Sequence, residues 1–367
     1  MNSNPVDRIS TYQVIMFLAN FILGAGILTL PRTLTEKVGT PDAWIGIIMS
    51  GLFIILIALL IVRLCKKFPN ESFYQFSQKL VGKWLGIIIS MVIIIYYICL
   101  SAFEVRSMAE TTMLYLLQGT PTWAVMMPFL WIGLYLVIGG INSIARMLEI
   151  IFPITVLCFL LVIFLGIGIF EIDNLRPVLG MGIKPVIKGL TTTSLSFAGF
   201  EIMLVIYMFM KEKKNASKAA IFGIGIPLVF YTITVISVVG SFSVTGVVSQ
   251  TWPVLTFVRS YEITGLFFER FDSILLVIWI MQIFATFIVS FFAAAIGMAQ
   301  IFNKKSFHPF LFAIIPIIYL VAMIPEDING VFKMGDLLGN FSFYTFGALT
   351  IFLLFVSFVK EKVNGKM

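Results

Sequence analysis

The sequence predicts an all-α polytopic membrane protein from its composition, its continuous apolar runs and the placement of its charges. Hydrophobic residues make up 60% of the 367 residues and charged residues 12%, about half of the roughly 25% charged share of soluble domains. A soluble fold of this length could not bury so much apolar surface in one core. Composition therefore excludes a soluble enzyme, a nucleic-acid-binding protein and a disordered chain, and the continuous runs argue against a β-barrel.

Ten apolar runs are long enough to cross a bilayer, for which a helix needs about 20 residues. The third and eighth runs exceed that length, so we expect tilt or a protruding end there. The chain is accordingly predicted to form a single transmembrane domain over residues 1–367. The runs are 11–31, 43–62, 84–117, 122–140, 147–170, 188–210, 219–241, 272–302, 308–324 and 337–359.

The loop charges predict the orientation of these spans. If the N-terminus lies inside, 16 Lys and Arg residues fall in inside loops and 8 fall in outside loops. Because Lys and Arg are enriched in cytoplasmic loops, this bias supports ten spans with both termini cytoplasmic. Ten spans divide into two inverted repeats, approximately 10–170 and 188–360. The outside segments 172–188 and 247–272 are expected to form either short interfacial helices or ordinary loops.

Small and hydroxylated residues interrupt the first and the sixth span near the middle. Gly24 and Gly26 lie within the first span, and small and hydroxylated residues are concentrated at 191–201 in the sixth span. Each alone is compatible with helix–helix packing by small residues. The interrupted spans are the first span of each inverted half. Because they lie at matching places, the pair favours a substrate site at the bilayer midplane. Bare N–H groups at such breaks attract a carboxylate, and unwound carbonyls accept from an ammonium group, which suits an α-amino acid or a similar zwitterion.

Several charged residues lie at membrane depth. Since a charge there costs about 2.5–3.5 kcal/mol on insertion scales, these side chains should face the interior of the bundle. Arg106 and Glu110 are four residues apart and can pair. Glu104 in the third span and Glu201 in the sixth either form a proton or ammonium site or fix the helices together.

The eighth span carries one polar stripe on an otherwise apolar helix. Gln282, Thr286 and Ser290 follow one another at four-residue spacing. This stripe either lines a cavity beside the two breaks or forms bonds between helices. The three cysteines form no CxxC or Cys/His pattern, so we expect no disulfide framework, metal site or cofactor.

Two short segments resemble a known transporter superfamily. Gly24–Pro31 resembles the first-helix signature of the amino acid–polyamine–organocation transporters, and Phe197–Glu201 resembles their sixth-helix signature. More narrowly, the whole chain resembles the B subunit of GerA-type spore germinant receptors, a spore germination protein family. The matching blocks keep their order over nearly the full length: Gly24–Arg32, Phe103–Glu110, Arg176–Gly180, Ser196–Glu201, Trp252–Pro253 and Phe268–Phe271.

This resemblance implies ten transmembrane helices in a 5+5 inverted repeat with discontinuous first and sixth helices. It implies a location in the inner membrane of a bacterial spore, with an A-type membrane subunit and a C-type lipoprotein as partners. The B subunit would sense a small nutrient germinant, expected to be an amino acid, and trigger ion release. By the same analogy, the ligand site would be formed by Gly24, Ala25, Gly26, Tyr96, Phe197, Ala198, Gly199, Thr286 and Ser290.

Three functions remain open at this point. The leading hypothesis is a nutrient germinant receptor subunit that binds its ligand at the midplane and signals through partner subunits. The alternative is a proton-coupled amino-acid permease, in which Glu201 or Glu104 carries the coupling proton. A third hypothesis is a structural subunit whose pocket is vestigial.

Overall fold

The computed structural model describes residues 8–260 and 271–364, and over these residues the chain is helical. Six of the described helices are long and apolar enough to cross a membrane, and the bent N-terminal pair, taken as one span, makes seven. Three shorter apolar helices are Thr122–Ile138, Phe200–Phe209 and His308–Ala322. The predicted all-α polytopic membrane fold is therefore confirmed. In chain order the helices are α1 (Thr11–Ile22), α2 (Gly26–Val38), α3 (Ala43–Lys66), α4 (Phe73–Val81), α5 (Lys83–Tyr115), α6 (Thr122–Ile138), α7 (Gly140–Gly166), α8 (Lys184–Gly189), α9 (Met203–Ile206), α10 (Ala216–Ser249), α11 (Pro253–Arg259), α12 (Phe271–Ile301), α13 (His308–Ala322), α14 (Ile328–Phe341) and α15 (Gly347–Asn364).

The helices α1 and α2 together form the first span, and the segment from α8 to the turn after α9 forms the sixth. The third span, α5, and the eighth span, α12, pack side by side along the centre of the bundle. Helix α1 packs on α7, α10 and α12, while α2 packs on α10 and α11. The two interrupted spans are therefore enclosed by other helices on several sides.

The structure adds detail to the connections between spans. A short helix, α4, precedes the third span and was not expected from hydropathy, because its apolar face covers α5 and its other face is polar. In the segment 247–272, the helix α11 packs against α2, α10 and α12. A short 3₁₀ turn at Ile172–Leu175 packs against α10. Residues 261–270, including most of the Phe268–Phe271 block, lie outside the described residues.

The start of α1 is joined to the segment that follows the sixth span. Ile9 donates its N–H to the Phe209 carbonyl over 2.9 Å, and the Lys211 N–H donates to the Ile9 carbonyl over 3.0 Å. The Thr11 hydroxyl donates to the Glu212 carboxylate over 2.9 Å. Hydrogen bonds, first of all from Thr11, lower the pKa of the exposed Glu212 carboxyl. We call this set of contacts the N-terminal clasp.

The predicted pairing in the third span is confirmed. Arg106 Nη2 lies 2.8 Å from Glu110 Oε1, and both side chains are largely buried. Arg106 Nη1 also approaches the Ala322 carbonyl at 3.5 Å, at the end of α13. The ion pair orients Arg106, and the contact of Arg106 with the Ala322 carbonyl links the far half of α5 to the ninth span, which is a structural role.

Candidate functional site

The first span is interrupted where the glycine pattern predicted. Helix α1 ends at Ile22, α2 begins at Gly26, and the two axes meet at 57°. Carbonyls at the end of α1 are satisfied from other helices: Phe21 accepts from the Thr286 hydroxyl at 3.0 Å, and Ile22 accepts from the Tyr231 hydroxyl at 2.6 Å. Such partners are what allow a break at membrane depth.

The sixth span also loses its regular winding. Regular α-helix stops at Gly189, irregular and 3₁₀ turns follow, and α-helix resumes at Met203. Gly199 has a φ of +123°, a conformation that side chains with a Cβ rarely adopt. A Cβ at this position would also lie 2.9 Å from Cδ1 of Phe21. Glycine is therefore required here both for the backbone and for the close approach of the first span.

The two breaks lie directly against each other. The Tyr231 hydroxyl is 2.6 Å from the Ile22 carbonyl in the first span and 2.8 Å from the Ser196 carbonyl in the sixth. The Ser196 hydroxyl donates to the Gly26 carbonyl over 3.4 Å. A Cβ on Gly26 would lie only 2.9 Å from the Ser196 Cα. Tyr231 therefore links both interruptions from the seventh span, a role that sequence reasoning did not assign.

At each break a carboxylate of the chain accepts from a backbone amide. The Ala25 N–H donates to both carboxylate oxygens of Glu104, over 3.3 and 3.4 Å. The Gly199 N–H donates to Glu201 Oε2 over 2.8 Å, and the Tyr96 hydroxyl donates to Glu201 Oε1 over 2.7 Å. These two amides are not bare, contrary to the sequence-based expectation. An unpaired amide in hydrocarbon costs several kcal/mol, so an internal carboxylate satisfies each one.

The polar stripe of the eighth span bonds to neighbouring helices. Gln282 donates to the Asn20 side chain over 3.1 Å, Thr286 donates to the first span as described, and the hydroxyls of Ser290 and Ser101 are 2.7 Å apart. Of the two alternatives left open for this stripe, the structure favours bonding between helices. Ligand contact by Thr286 and Ser290 stays a prediction.

The other predicted ligand residues surround the same two breaks. A Cβ on Gly24 would lie 2.7 Å from both Glu104 Oε1 and Thr286 Oγ1, so three elements converge at that glycine. Phe197 and Ala198 are buried beside the sixth-span break. The structure therefore brings the predicted set together, although ligand contact at each residue stays a prediction.

A cavity of about 140 Å³ opens beside the breaks. Ala25 is the predicted ligand residue that lines it, and Leu195 lines it from the sixth-span break. Sequence reasoning missed the rest, although residues 29, 32, 33 and 36 follow a helical spacing that could have indicated a polar face. The remaining lining residues are Thr29, Arg32, Thr33, Glu36, Phe103, Ser107, Trp252, Val331, Phe332 and Asp336.

Comparison with known sequences identifies close relatives. A family model described as "Spore germination protein" matches residues 8–331. The chain is 50% identical over 354 residues to the spore germination protein YndE of Bacillus subtilis (strain 168), covering 96% of this chain and 97% of that protein. It is 36% identical over 359 residues to spore germination protein A2 of the same organism, covering 98% of each.

Comparison with solved structures identifies the fold. The nucleobase-cation-symport-1 family transporter Mhp1, solved closed with bromovinylhydantoin bound, matches with a TM-score of 0.68 at 13% identity, covering 92% of this chain and 77% of that one. MhsT in complex with L-phenylalanine matches with a TM-score of 0.70 at 12% identity, covering 92% and 87%. Both are similar to this chain in fold alone.

Proposed function

This chain belongs to the spore germination protein family, and from that premise we propose that it is a nutrient germinant receptor subunit which binds an α-amino acid beside the two helix breaks. The family and the transporter fold identify a multi-pass membrane protein that is not an enzyme. The B-type germinant receptor resemblance predicted from the sequence is confirmed by the relatives. The ligand, the site and the signalling route are the proposal.

The observation that carries the proposal is the contact between the two breaks. Tyr231 holds the Ile22 and Ser196 carbonyls together, and a cavity reaches Ala25 at the edge of this contact. Interrupted helices in a membrane supply backbone donors and acceptors to a small polar molecule without a charged side chain. MhsT, which has the same fold, was solved with an α-amino acid. These points together support an amino acid as the ligand class.

The bond between Glu104 and the Ala25 N–H gives a bound ligand a way to change the conformation of the chain. Glu104 accepts from the Ala25 N–H. A ligand carboxylate that takes this amide competes with Glu104, so the ligand prefers an arrangement in which Glu104 has moved away. A ligand shifts a conformational equilibrium only by such a difference in affinity. Movement of Glu104 would displace the third span, and the third span would pass the change to A-type and C-type partner subunits. We place the complex in the spore inner membrane, with both termini of this chain cytoplasmic.

A pair of glycine variants tests the site. Gly199→Val should abolish the nutrient response because it combines an unfavourable φ with a clash against the first span. Gly24→Val should abolish it because the new side chain fills the space between the first break, Glu104 and Thr286 and so blocks the ligand. Both proteins should still insert in the membrane. Gly225→Val is the matched control, since a Cβ there meets no atom within 4 Å; unchanged nutrient sensitivity in both site variants would refute the proposal.

A proton-coupled permease is the second candidate, and one observation favours it. Glu104 and Glu201 are buried, and neither pairs with a cation among the described residues. Buried carboxylates of this kind mark proton relays in transporters. Uptake of labelled amino acid into proteoliposomes separates the candidates. Proton-driven accumulation by the purified chain supports the permease, saturable binding without transport supports the receptor, and no saturable binding indicates a vestigial pocket.

A further inference from the structure

We propose that Ser342 in the tenth span is a positioning residue of the ligand site. Its hydroxyl holds the buried Glu201 carboxylate when a bound amino acid takes the N–H of Gly199 at the sixth-span break. This role rests on the proposed function, which places the ligand at the amides of the two breaks. The tenth span then joins the elements that determine the affinity of the site.

The tenth span packs directly on the break of the sixth span. It comprises α14, a π-helical turn at Ser342–Phe346 and α15. A Cβ on Gly339 would lie 2.6 Å from the Leu195 Cα. One residue further along, Asn340 Oδ1 accepts from the Ser194 hydroxyl over 3.4 Å. The main chains of the two spans therefore touch beside the break.

The π-helical turn brings three side chains of the tenth span to Tyr96 and Glu201. Phe341 stacks on the Tyr96 ring at a centroid distance of 5.4 Å, and Phe346 meets the same ring edge-on at 5.3 Å. Residues five apart on an α-helix point about 140° away from each other, whereas i→i+5 winding brings them onto one face. The π-turn therefore allows both rings to hold Tyr96. The Ser342 hydroxyl, which follows Phe341, donates to Glu201 Oε2 over 3.2 Å.

Glu201 has three hydrogen-bond donors, and two of them share one oxygen. Oε1 accepts from the Tyr96 hydroxyl over 2.7 Å. Oε2 accepts from the Gly199 N–H over 2.8 Å and from the Ser342 hydroxyl over 3.2 Å. The side chain is fully buried and has no cation partner in the described part of the chain. Each donor therefore counts, because a buried charge without hydrogen bonds is strongly disfavoured.

The carboxylate at the first-span break is held differently. Both oxygens of Glu104 accept from the Ala25 N–H, over 3.3 and 3.4 Å, and no second donor to Glu104 occurs among the described residues. A ligand that takes the Ala25 amide therefore leaves Glu104 without a donor, so Glu104 has to move. A ligand that takes the Gly199 amide leaves Glu201 with one hydroxyl on each oxygen, so Glu201 can stay in place.

Removing the Ser342 hydroxyl should therefore penalise the bound state alone. In the free Ser342→Ala protein, the Gly199 N–H still donates to Oε2 of Glu201. Once a ligand takes that amide, Oε2 is left buried without a donor, which carries the full penalty of an unsatisfied charged acceptor. The expected result is a loss of amino-acid affinity of about tenfold or more.

The role can be tested on the full-length chain in nanodiscs. The probes are the twenty proteinogenic L-amino acids, followed by the decarboxylated amine of the tightest binder. Ser342→Ala should weaken binding of the amino acid by about tenfold or more. It should leave binding of the amine unchanged, because the amine has no carboxylate to take the Gly199 N–H. Thr350→Val is the matched control and should bind as the wild type does, since this buried hydroxyl of the same span bonds within its own helix, to the Phe346 carbonyl over 2.7 Å.

The Glu201→Gln background gives a readout that a merely structural role would not change. Because Ser342 acts through the Glu201 carboxylate, Ser342→Ala should have no further effect on affinity in that background, whereas independent effects would add. The role of Ser342 alone is overturned by unchanged binding in Ser342→Ala, by an equal loss for the amine, or by the same fold loss in both backgrounds. Absence of amino-acid binding by the wild-type chain refutes the proposed function and this role together.

Discussion

Replacing Gly26 by alanine places a methyl group against the main chain of the sixth span. The new Cβ would lie 2.9 Å from the Ser196 Cα and 3.3 Å from its N, whereas ordinary contacts begin near 3.4 Å. One break must therefore move away from the other by about 0.5 Å, since both partners are backbone and cannot rotate aside. Overpacking of this kind costs about 1–3 kcal/mol, and alanine returns at most about 1 kcal/mol through its helix propensity.

Gly225→Ala is the matched comparison because a Cβ there meets open space within the helix α10. Its expected effect has the opposite sign, a gain of up to about 1 kcal/mol. Thermal unfolding in detergent, followed by tryptophan fluorescence, should place Gly26→Ala below the wild type and Gly225→Ala at or above it. If Gly26→Ala unfolds at the wild-type temperature and binds ligand normally, the two breaks do not touch as described.

Two further changes test the contacts around the site. Tyr231→Phe removes the hydroxyl that joins the two breaks and should lower the free energy of unfolding by about 1 kcal/mol; an unchanged unfolding temperature would show that this bridge contributes nothing. Arg106→Gln leaves Glu110 without its partner and should cost about 3 kcal/mol. The double variant Arg106→Met with Glu110→Leu should regain most of that loss in the free energy of unfolding, because it leaves no unpaired buried charge. Equal instability of the single and double variants would contradict a buried ion pair between Arg106 and Glu110.

The membrane spans were predictable because hydropathy alone determines which stretches enter the bilayer. The break in the first span was predictable from Gly24 and Gly26, and the Arg106–Glu110 pair followed from four-residue spacing on one helix. Boundaries were less accurate: the fifth span begins at Gly140 and the last helical stretch at Ile328, both earlier than expected. At the start of α14 the Asp327 side chain accepts from the Gly330 N–H, and this cap begins the helix before its most apolar residues.

Contacts between distant segments were not predictable from one sequence. Tyr231 lies in an ordinary apolar run, and only the folded bundle places its hydroxyl between the two breaks. The internal bond from Ala25 to Glu104 likewise joins residues 79 positions apart. Asp336 and Trp252 meet at one cavity through the packing of separate spans. Helical periodicity reports which face a residue occupies but not which neighbour that face meets.

The N-terminal clasp has a mechanical consequence. Because Ile9 is bonded in both directions to residues 209 and 211, α1 cannot tilt alone without breaking main-chain bonds or carrying the loop after the sixth span with it. A rearrangement that starts at the breaks therefore displaces two chain segments together, the start of α1 and the loop after the sixth span. A protein bound to these two segments would respond to the movement of both of them together rather than of a single helix end.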